Sequence, residues 1–566
     1  MMGVPFAWSQ TVRPTLAPAD TTQKPAGPIG RVVQVLNADR AEGSTTGRTL
    51  MGNVRLQQGN TYLWAQSVQE SFASDLISLS GAVRLVQNGD TLTARKIVYN
   101  TRSKQAVASG DLRLSNGKTR IFTDTATYDA EIKLVHFTVG ARIVDSTTVI
   151  TARKGVFSNE DKWGRFESDV RLVDGKTVLT AIKGSYNTTF RWGEFEGNVQ
   201  LADSSVTLAA QKGVYYRDLK EALFFGNVRI QHPDFYMEAD SLTSNRKSDT
   251  AFARGHVFMQ RIEKTKDGRP DSLSHTFLFG RQMYHQNKIR YTWVQGKPLV
   301  VQLKTDPQTA KTDTLFMASR KLEARQFPDD SQQMNAFGGV TMWRGSFSAK
   351  ADSVAYLKPK PLAGTPSQDR IRLFRKPIVW AEGSQITGDT LRLHLREGKP
   401  DSLFVDGNAF VARMDSLIQK INQLSGKKMV GHFEQDSLRT LFIQPQAELI
   451  YFTKDDQKAL SNGIRMQSQN MRLTFQKGEL SGMDAVKPQG SVYDIGILPE
   501  PFQLQGFLWL PDQRPEKSDF NLLLEDWARI QARLQAPTVY EPRTEPTTPI
   551  RTNKPAAGKP KRPRRG

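Results

Sequence analysis

The sequence contains no cysteine among its 566 residues and only seven histidines. The first absence excludes disulfide bonds, thiolate zinc sites and cysteine nucleophiles. None of the histidines follows the HxH, HExxH or HxxEH spacing that a metal site uses. We therefore expect neither a metal nor another cofactor.

The sequence also lacks a run of 18 apolar residues, a P-loop, a GxGxxG motif and a GxSxG motif. The first of these absences predicts that no segment crosses a membrane as a helix, and the others remove common signatures of nucleotide and serine chemistry. Carboxylates such as Asp352 and Asp389 occur in strand-and-turn contexts, but nothing in the sequence pairs them as a glycosidase requires. We expect that the chain is not an enzyme.

Acidic residues are too few to balance the basic ones, and the formal net charge is +21. Seven Lys or Arg residues and no acid lie between Arg551 and Gly566. Residues 536–566 are interpreted as a disordered, basic, Pro-rich tail that is solvated, and no nucleic-acid partner is expected. At the other end, the apolar stretch Met1–Gln10 lacks a basic leader. It is interpreted as the remnant of a truncated signal peptide, within a leader and linker at residues 1–30.

The dominant feature of the sequence is a repeat of 29 residues. A glycine followed by a short alternating run recurs at Gly52, Gly81, Gly110, Gly197, Gly226 and Gly255. Aliphatic residues stand two and four positions after it, and a second strand in each unit carries Leu, Ile or Met two positions before a small residue. Alternate apolar positions predict strands with one buried face, joined by turns such as Asn116-Gly117.

Each repeat has a short apolar face that it cannot bury alone, so neighbouring repeats must stack. We predict an all-β fold, an elongated open β-jelly-roll or β-solenoid built from two-strand repeats of about 29 residues, with minor helices near the C-terminus. The predicted domains are a regular β-repeat domain at 31–262, a second, irregular β segment at 263–410 and a β-rich C-terminal extension with short helices at 411–535.

Two helices are predicted in this extension, both as packing elements. The first begins at Asp415 and ends at Gly426, with one apolar face made of Leu417, Ile418, Ile421 and Leu424. The second carries apolar residues at helical spacing, namely Phe520, Leu523, Leu524, Trp527, Ile530 and Leu534.

A basic column accompanies the aliphatic ones, on the opposite face of the strand. It consists of Arg55, Arg84, Arg113, Arg142, Arg171 and Arg229, and it is interrupted by Gln200 and Phe258. The favoured interpretation is a solvated outer ladder that resists edge-to-edge association. The other interpretation, which stays open, is a stripe that meets phosphates or an acidic partner.

Units of the form G-x-V-x-L followed by T-x-x-A-x-x-x-x-Y resemble the OstA-like, or lipopolysaccharide-transport, periplasmic bridge family. Here they are Gly81 to Leu85 with Thr91 to Tyr99, and Gly197 to Leu201 with Thr207 to Tyr215. The stretch from Gly426 to Trp509 resembles the extension of the large OstA-like proteins of Bacteroidetes-type bacteria. The resemblance implies a periplasmic protein, possible association with the outer membrane, and a twisted β-jelly roll that is open along one side and holds the acyl chains of lipopolysaccharide.

The same resemblance implies the partners. They are lipopolysaccharide or a related glycolipid, the inner-membrane extractor and outer-membrane translocon components, and further copies of the chain joined end to end. The trough residues expected to contact lipid are Val54, Leu56, Leu63, Val83, Leu85, Leu92, Leu112, Leu114, Ile121, Ile150, Leu172, Leu179, Val199, Leu201, Leu208, Val228, Ile230 and Met237.

Three alternatives stay open at this point. The aliphatic columns also fit a closed, dry core, and the chain would then be a structural or adhesive β-solenoid without lipid cargo. A steady period near 29 residues fits a parallel β-helix as well, the fold of many polysaccharide lyases and hydrolases, and this is the enzyme alternative. The lipid carrier is the favoured interpretation because acyl chains bind apolar surface without directed chemistry, at about 0.8 kcal/mol for each buried CH₂.

Overall fold

A computed structural model describes residues 33–203, 206–265, 267–360, 365, 368–434, 437–476, 479–520 and 524–536. These residues form 38 β-strands, four short 3₁₀ helices and one α-helix, which confirms the all-β class with minor helices near the C-terminus. They belong to two compact units, divided between His136 and Phe137. The leader at 1–30 and the tail beyond residue 536 lie outside the described residues, and the domain boundaries near residues 262 and 410 stay a prediction.

The first unit is an antiparallel meander of eight strands. β1 and β2 both pair with β3, and each strand from β3 onward pairs with the next. The strands are β1 (Gln34–Asn37), β2 (Arg40–Gly43), β3 (Gly47–Gln58), β4 (Thr61–Ser71), β5 (Leu76–Gln87), β6 (Asp90–Asn100), β7 (Gln105–Ser115) and β8 (Thr119–Asp129). β9 (Leu134–Phe137) contains the division between the units.

The second unit continues the antiparallel pattern, first with long strands. These are β10 (Ala141–Asp145), β11 (Thr148–Ala152), β12 (Lys154–Ser158), β13 (Trp163–Asp174), β14 (Thr177–Asn187), β15 (Trp192–Ala202), β16 (Thr207–Tyr216), β17 (Glu221–His232), β18 (Phe235–Asn245), β19 (Thr250–Lys264) and β20 (Pro270–Gln286). From β13 to β20 each strand pairs with the next.

Beyond β20 many strands are shorter, and two short strands often stand where the first repeats have one long strand. They are β21 (Tyr291–Gln295), β22 (Leu299–Thr305), β23 (Thr312–Ala318), β24 (Lys321–Gln326), β25 (Gln332–Arg344), β26 (Phe347–Lys358), β27 (Gln368–Phe374), β28 (Ile378–Ala381), β29 (Ser384–Thr387), β30 (Thr390–Arg396), β31 (Lys399–Asp415), β32 (Lys420–Glu434), β33 (Ser437–Gln444), β34 (Ala447–Lys454), β35 (Leu460–Ser468), β36 (Asn470–Gln476), β37 (Glu479–Val486) and β38 (Gln489–Asp494). Neighbouring strands again pair antiparallel, as β20 does with both β21 and β22. An antiparallel meander differs from the parallel β-helix on which the enzyme alternative rests.

A β-bulge at the repeat glycine divides each long strand into two halves. Gly81 and Ala82 both have positive φ, and the register between β5 and β6 breaks between Ser80 and Val83. A Cβ on Gly81 would lie 2.7 Å from the Cβ of Gln66, so glycine is required by close approach as well as by conformation. The bulges therefore divide the sheet of each compact unit into two half-sheets. The segments on one side of the bulges, such as 83–87 and 90–94, form what we call the aliphatic half-sheet. The segments on the other side, such as 76–80 and 96–100, form what we call the aromatic half-sheet.

The second unit ends in a segment that runs back across its own strands, which we call the C-terminal strap (residues 498–520 and 524–535). The strap contains 3₁₀ turns at Pro511–Gln513 and Lys517–Phe520 and the helix α1 (Leu524–Gln535). Along the strap, the hydrogen-bond partners come from progressively earlier strands of the unit. Leu504 N–H donates to Gln423 (2.9 Å), and Leu510 N–H donates to Gln385 (2.8 Å). The Ser348 hydroxyl donates to the Pro515 carbonyl (2.8 Å), and Arg533 donates to Gln260 (3.0 Å).

The strap covers the outer face of the aliphatic half-sheet. Phe258 and Phe410 stand three residues after Gly255 and Gly407, where the first repeats carry arginine. In one apolar cluster, Phe520 and Ile530 of the strap pack with Phe258, Phe277, Val301 and Phe316 of the strands. In a second cluster, Leu504 of the strap packs with Phe410, Ala412, Ile450 and Phe452. The interruption of the arginine column at Phe258 thus marks where the outer face becomes a second core.

The first predicted helix is wrong, and the second is confirmed over Leu524–Gln535, while Phe520 lies in a 3₁₀ turn and Leu523 lies outside the described residues. β31 ends at Asp415 and β32 begins at Lys420, so the stretch from Asp415 to Gly426 is a turn followed by a strand. Ile418 and Ile421 pack against the apolar cluster that contains Phe410, so apolar residues also occur off the inner face and obscure the alternation that identifies a strand. No described helix is long and apolar enough to cross a membrane.

Candidate lipid-binding interior

All 18 predicted trough residues are buried on the inner face of the aliphatic half-sheet of their own unit. The most exposed is Leu201 at 9%, and Leu179 and Leu208 are 1% and 3% exposed. Their cross-strand register is direct, since Leu179 pairs with Leu201, and Leu201 with Leu208. The structure therefore assembles these residues into one continuous wall in each unit, and their contact with lipid stays a prediction.

Of the opposite wall, the sequence indicated the tyrosine column that ends the repeat motif, at Tyr99 and Tyr215, but not the phenylalanine column beside it. In the second unit this wall contains the phenylalanine column, Phe137, Phe166, Phe195 and Phe224, in which each member is at most 2% exposed. A Cβ on Gly184 would lie 2.8 Å from Phe195 and 3.1 Å from Val170, so the aromatic and aliphatic half-sheets pack directly on one another there. The phenylalanine column keeps the 29-residue period. The equivalent positions of the first unit are Leu79 and Ala108, so the aromatic pattern does not extend through all the repeats.

Tyrosine hydroxyls tie the far ends of the two half-sheets together. In the first unit Tyr99 donates to Gln58 (3.2 Å), and in the second Tyr215 donates to Asp174 (2.8 Å). Both pairs are separated by 41 residues in the sequence. The contact is therefore a repeated clasp that bridges neighbouring repeats of one unit.

Arginines add further clasps in the second unit. Arg217 donates to the Thr147 hydroxyl (2.6 Å) and Arg246 to the Thr177 hydroxyl (2.5 Å), at separations of 70 and 69 residues. Arg246 also forms an ion pair with Asp203. At these positions the edge opposite the bulges is held closed by polar contacts.

Burial keeps the tyrosines at these column positions protonated, whether or not they form a clasp. It raises the pKa of Tyr128 to about 12, with added effect from Asp90 and Asp129, and it raises the pKa of Tyr186 to about 12, with added effect from Asp145. Burial and the hydrogen bond to Asp174 also raise the pKa of Tyr215. These hydroxyls therefore stay protonated at every physiological pH.

This arrangement predicts loss of stability at alkaline pH. Tyrosine in the unfolded chain ionises near pH 10, whereas buried Tyr128 and Tyr186 ionise near pH 12, so the stabilisation is complete below pH 10 and is lost as the pH rises to about 12. Each tyrosine contributes up to about 1.4 kcal/mol per pH unit in that window. Urea unfolding at pH 9–12 should show a shallower decline for the Tyr128→Phe, Tyr186→Phe double variant; an identical decline would contradict the assignment.

Side chains of catalytic type are engaged locally. Among the residues that the structure describes, no three His, Asp or Glu side chains are grouped as a metal site. Asp352 accepts from Arg375 (3.4 Å), and Asp389 accepts from Asn408 (3.1 Å). The two carboxylates singled out in the sequence therefore have separate local partners.

Comparison with known proteins agrees with the repeat pattern. Residues 32–181 and 162–240 match the sequence family described as OstA-like protein. No curated protein sequence matches the chain. A matching solved structure is LptH from Pseudomonas aeruginosa, described as the LptA homologous periplasmic component of the conserved lipopolysaccharide transport device. It is 17% identical, the match covers 19% of this chain and 80% of that one, and the TM-score is 0.18, too low to carry a structural argument. The repeats at residues 32–240 are therefore similar to the OstA-like protein family.

Proposed function

We propose that the chain is a non-enzymatic periplasmic protein that binds lipopolysaccharide, or a related glycolipid, by its acyl chains and passes it toward the outer membrane. The observation that carries the proposal is the repeated pair of apolar half-sheets within a region that matches the OstA-like family. LptH, described as a periplasmic component of a lipopolysaccharide transport device, gives the direction of the proposal but no structural support.

Lipid binding requires the two walls to separate, because both are buried against each other. The clasps are the contacts that must open, and each is a polar contact worth about 1–3 kcal/mol. Acyl chains would replace the contacts between the walls, at about 0.8 kcal/mol for each CH₂ that leaves water. A few buried methylenes therefore offset the opening of one clasp.

Bridging partners fit the strand edges. Within the described residues, β37 pairs only with β36 and β38 only with β35, so each presents an unpaired edge. An unpaired edge can accept a strand from another molecule. We propose this edge as the place where a further copy, or a component of the inner-membrane extractor or outer-membrane translocon, joins the chain.

The test is mass spectrometry of lipids extracted from protein purified gently from a lipopolysaccharide-producing host. We expect stoichiometric lipid A or lipopolysaccharide, lost in Leu179→Asp and Leu208→Asp, because a carboxylate in the wall excludes acyl chains. The matched control is Ile182→Asp, which should load normally. Ile182 lies three residues from Leu179, but its side chain is 50% exposed. Circular dichroism confirms folding; Leu179→Thr serves if the Asp variants unfold.

A structural β-solenoid without cargo is the second candidate, and the burial of both walls favours it. Wild-type protein that carries no lipid and takes up no added lipopolysaccharide would establish this candidate and contradict the first. If folded Leu179→Asp protein carries as much lipid as wild-type protein, the lipid does not bind in the apolar interior.

A further inference from the structure

The charged side chains on the outer face of the aliphatic half-sheet in the first unit are all basic. The outward positions on β3 to β8 contain four arginines and no acid: Arg55, Gln57, Tyr62, Trp64, Arg84, Val86, Thr91, Thr93, Arg113, Ser115, Arg120 and Phe122. Arg55, Arg84 and Arg113 stand on alternate strands, so they recur roughly every 10 Å across the sheet. We call this surface the arginine face.

The arginine face is not neutralised by the protein. Among the residues that the structure describes, Arg55, Arg84 and Arg113 form no ion pair, and all three are exposed. Other exposed arginines of the same unit are paired, as Arg95 is with Asp111 and Arg102 with Asp75. In the described part of the first unit, the arginines that form no ion pair therefore all lie on this face.

Aromatic rings lie between the arginines. Trp64 stands opposite both Arg55 and Arg84 in the register, and the Arg84 guanidinium lies 5.3 Å from the Trp64 ring. Tyr62 stacks on Trp64 at 6.1 Å, and Arg113 lies 6.0 Å from Phe122. Cations beside amphipathic aromatic rings are typical of surfaces that contact lipid headgroups.

The second unit shows what the same positions become when they are covered. There Phe258 and Phe410 replace arginine and lie beneath the C-terminal strap. No described segment of the first unit covers the arginine face, which carries charge where the covered region of the second unit carries apolar rings. An occupant of the arginine face must therefore be anionic.

We propose that the arginine face docks the chain on an anionic phospholipid surface. Each of the strands β4 to β7 is paired on both sides, so its backbone cannot pair with a strand from a bound peptide. An occupant of this face can therefore contact only the side chains. Four arginines with interleaved aromatic rings match the basic clusters that bind anionic leaflets. The proposal is independent of lipid carriage in the interior.

Cosedimentation of the full-length protein with phosphatidylglycerol-containing vesicles tests it, with phosphatidylcholine vesicles for comparison. The variant R55Q/R84Q/R113Q should bind about 100-fold more weakly, from about fivefold for each arginine. The variant R40Q/R95Q/R102Q removes the same charge from exposed, ion-paired arginines of the same unit and should change binding by less than about fivefold.

Equal weakening in the two triple variants would assign binding to net charge and overturn the proposal, as would equal binding to phosphatidylcholine vesicles. No binding of wild-type protein to either vesicle would also overturn it and would leave an acidic protein surface as the occupant. Circular dichroism of both variants shows whether a loss reflects the face or the fold.

Discussion

A chain shortened to end at Ile497 should lose the folded structure beneath the strap. Without residues 498–536, the rings of Phe316 and Phe410 and the side chain of Ile450 lose their cover. Each large apolar side chain returned to water costs about 1.5–3 kcal/mol, so exposing several costs about 5–10 kcal/mol, the whole stability of a typical domain. Urea unfolding should show an early transition absent from the full chain.

The matched control ends at Ala536 and keeps the strap while it removes the basic tail. Its urea midpoint should equal that of the full chain, because none of the strap contacts is removed. Dye binding by exposed apolar surface should rise only in the chain that ends at Ile497. Equal midpoints for the two shortened chains would show that the strap contributes nothing to the fold.

Replacement of Phe258 by arginine restores the column residue of the first repeats and should release the strap. Phe258 is fully buried, lies against Phe277 and Phe279, and belongs to the cluster that contains Ile530 of α1. A guanidinium there has no carboxylate cross-strand other than Glu238, which already pairs with Arg529 and Arg229. Burial of this charge should destabilise the second unit by about 3–5 kcal/mol.

Two substitutions separate charge from shape. Phe258→Leu keeps an apolar side chain and should cost about 1–1.5 kcal/mol. Gln200→Arg restores the same column at a position that none of the described strap contacts includes, and it should change stability by less than about 0.5 kcal/mol. The readouts are the urea midpoint and the rate of limited proteolysis in residues 498–536. A Phe258→Arg midpoint equal to that of Gln200→Arg would show that the strap does not pack on this position.

The sequence predicted the parts of the fold that depend on one face of one strand. Residues such as Val83 and Leu85 alternate with polar neighbours, and the 29-residue period multiplied that signal until the strands, turns and aliphatic wall could be identified. The phenylalanine column of the aromatic wall was missed because it changes residue type between the two units, from Leu79 and Ala108 to Phe166 and Phe195.

Contacts made by distant segments could not be read from local patterns. The strap meets Gln423, Gln385 and Ser348 more than 80 residues before it in the chain, and no periodicity links them. Ile418 and Ile421 pack against the same cluster as the strap while Leu417 is exposed in the turn before β32, so the residues from Leu417 to Leu424 imitated a helical pattern. The one sequence signal of the strap was Phe258, an apolar residue in a column of arginines.

The position of the strap at the end of the chain has a consequence for biosynthesis. The first repeats pair strands that are neighbours in sequence, so each hairpin can form as it is made. The rings of Phe277 and Phe316 must instead wait for Phe520, about 200 residues later. At ribosomal rates of about 5–20 residues per second, that delay is about 10–40 s. During this time the nascent chain holds a broad apolar surface without its partner, and a holding chaperone is the cellular factor that such a chain would need.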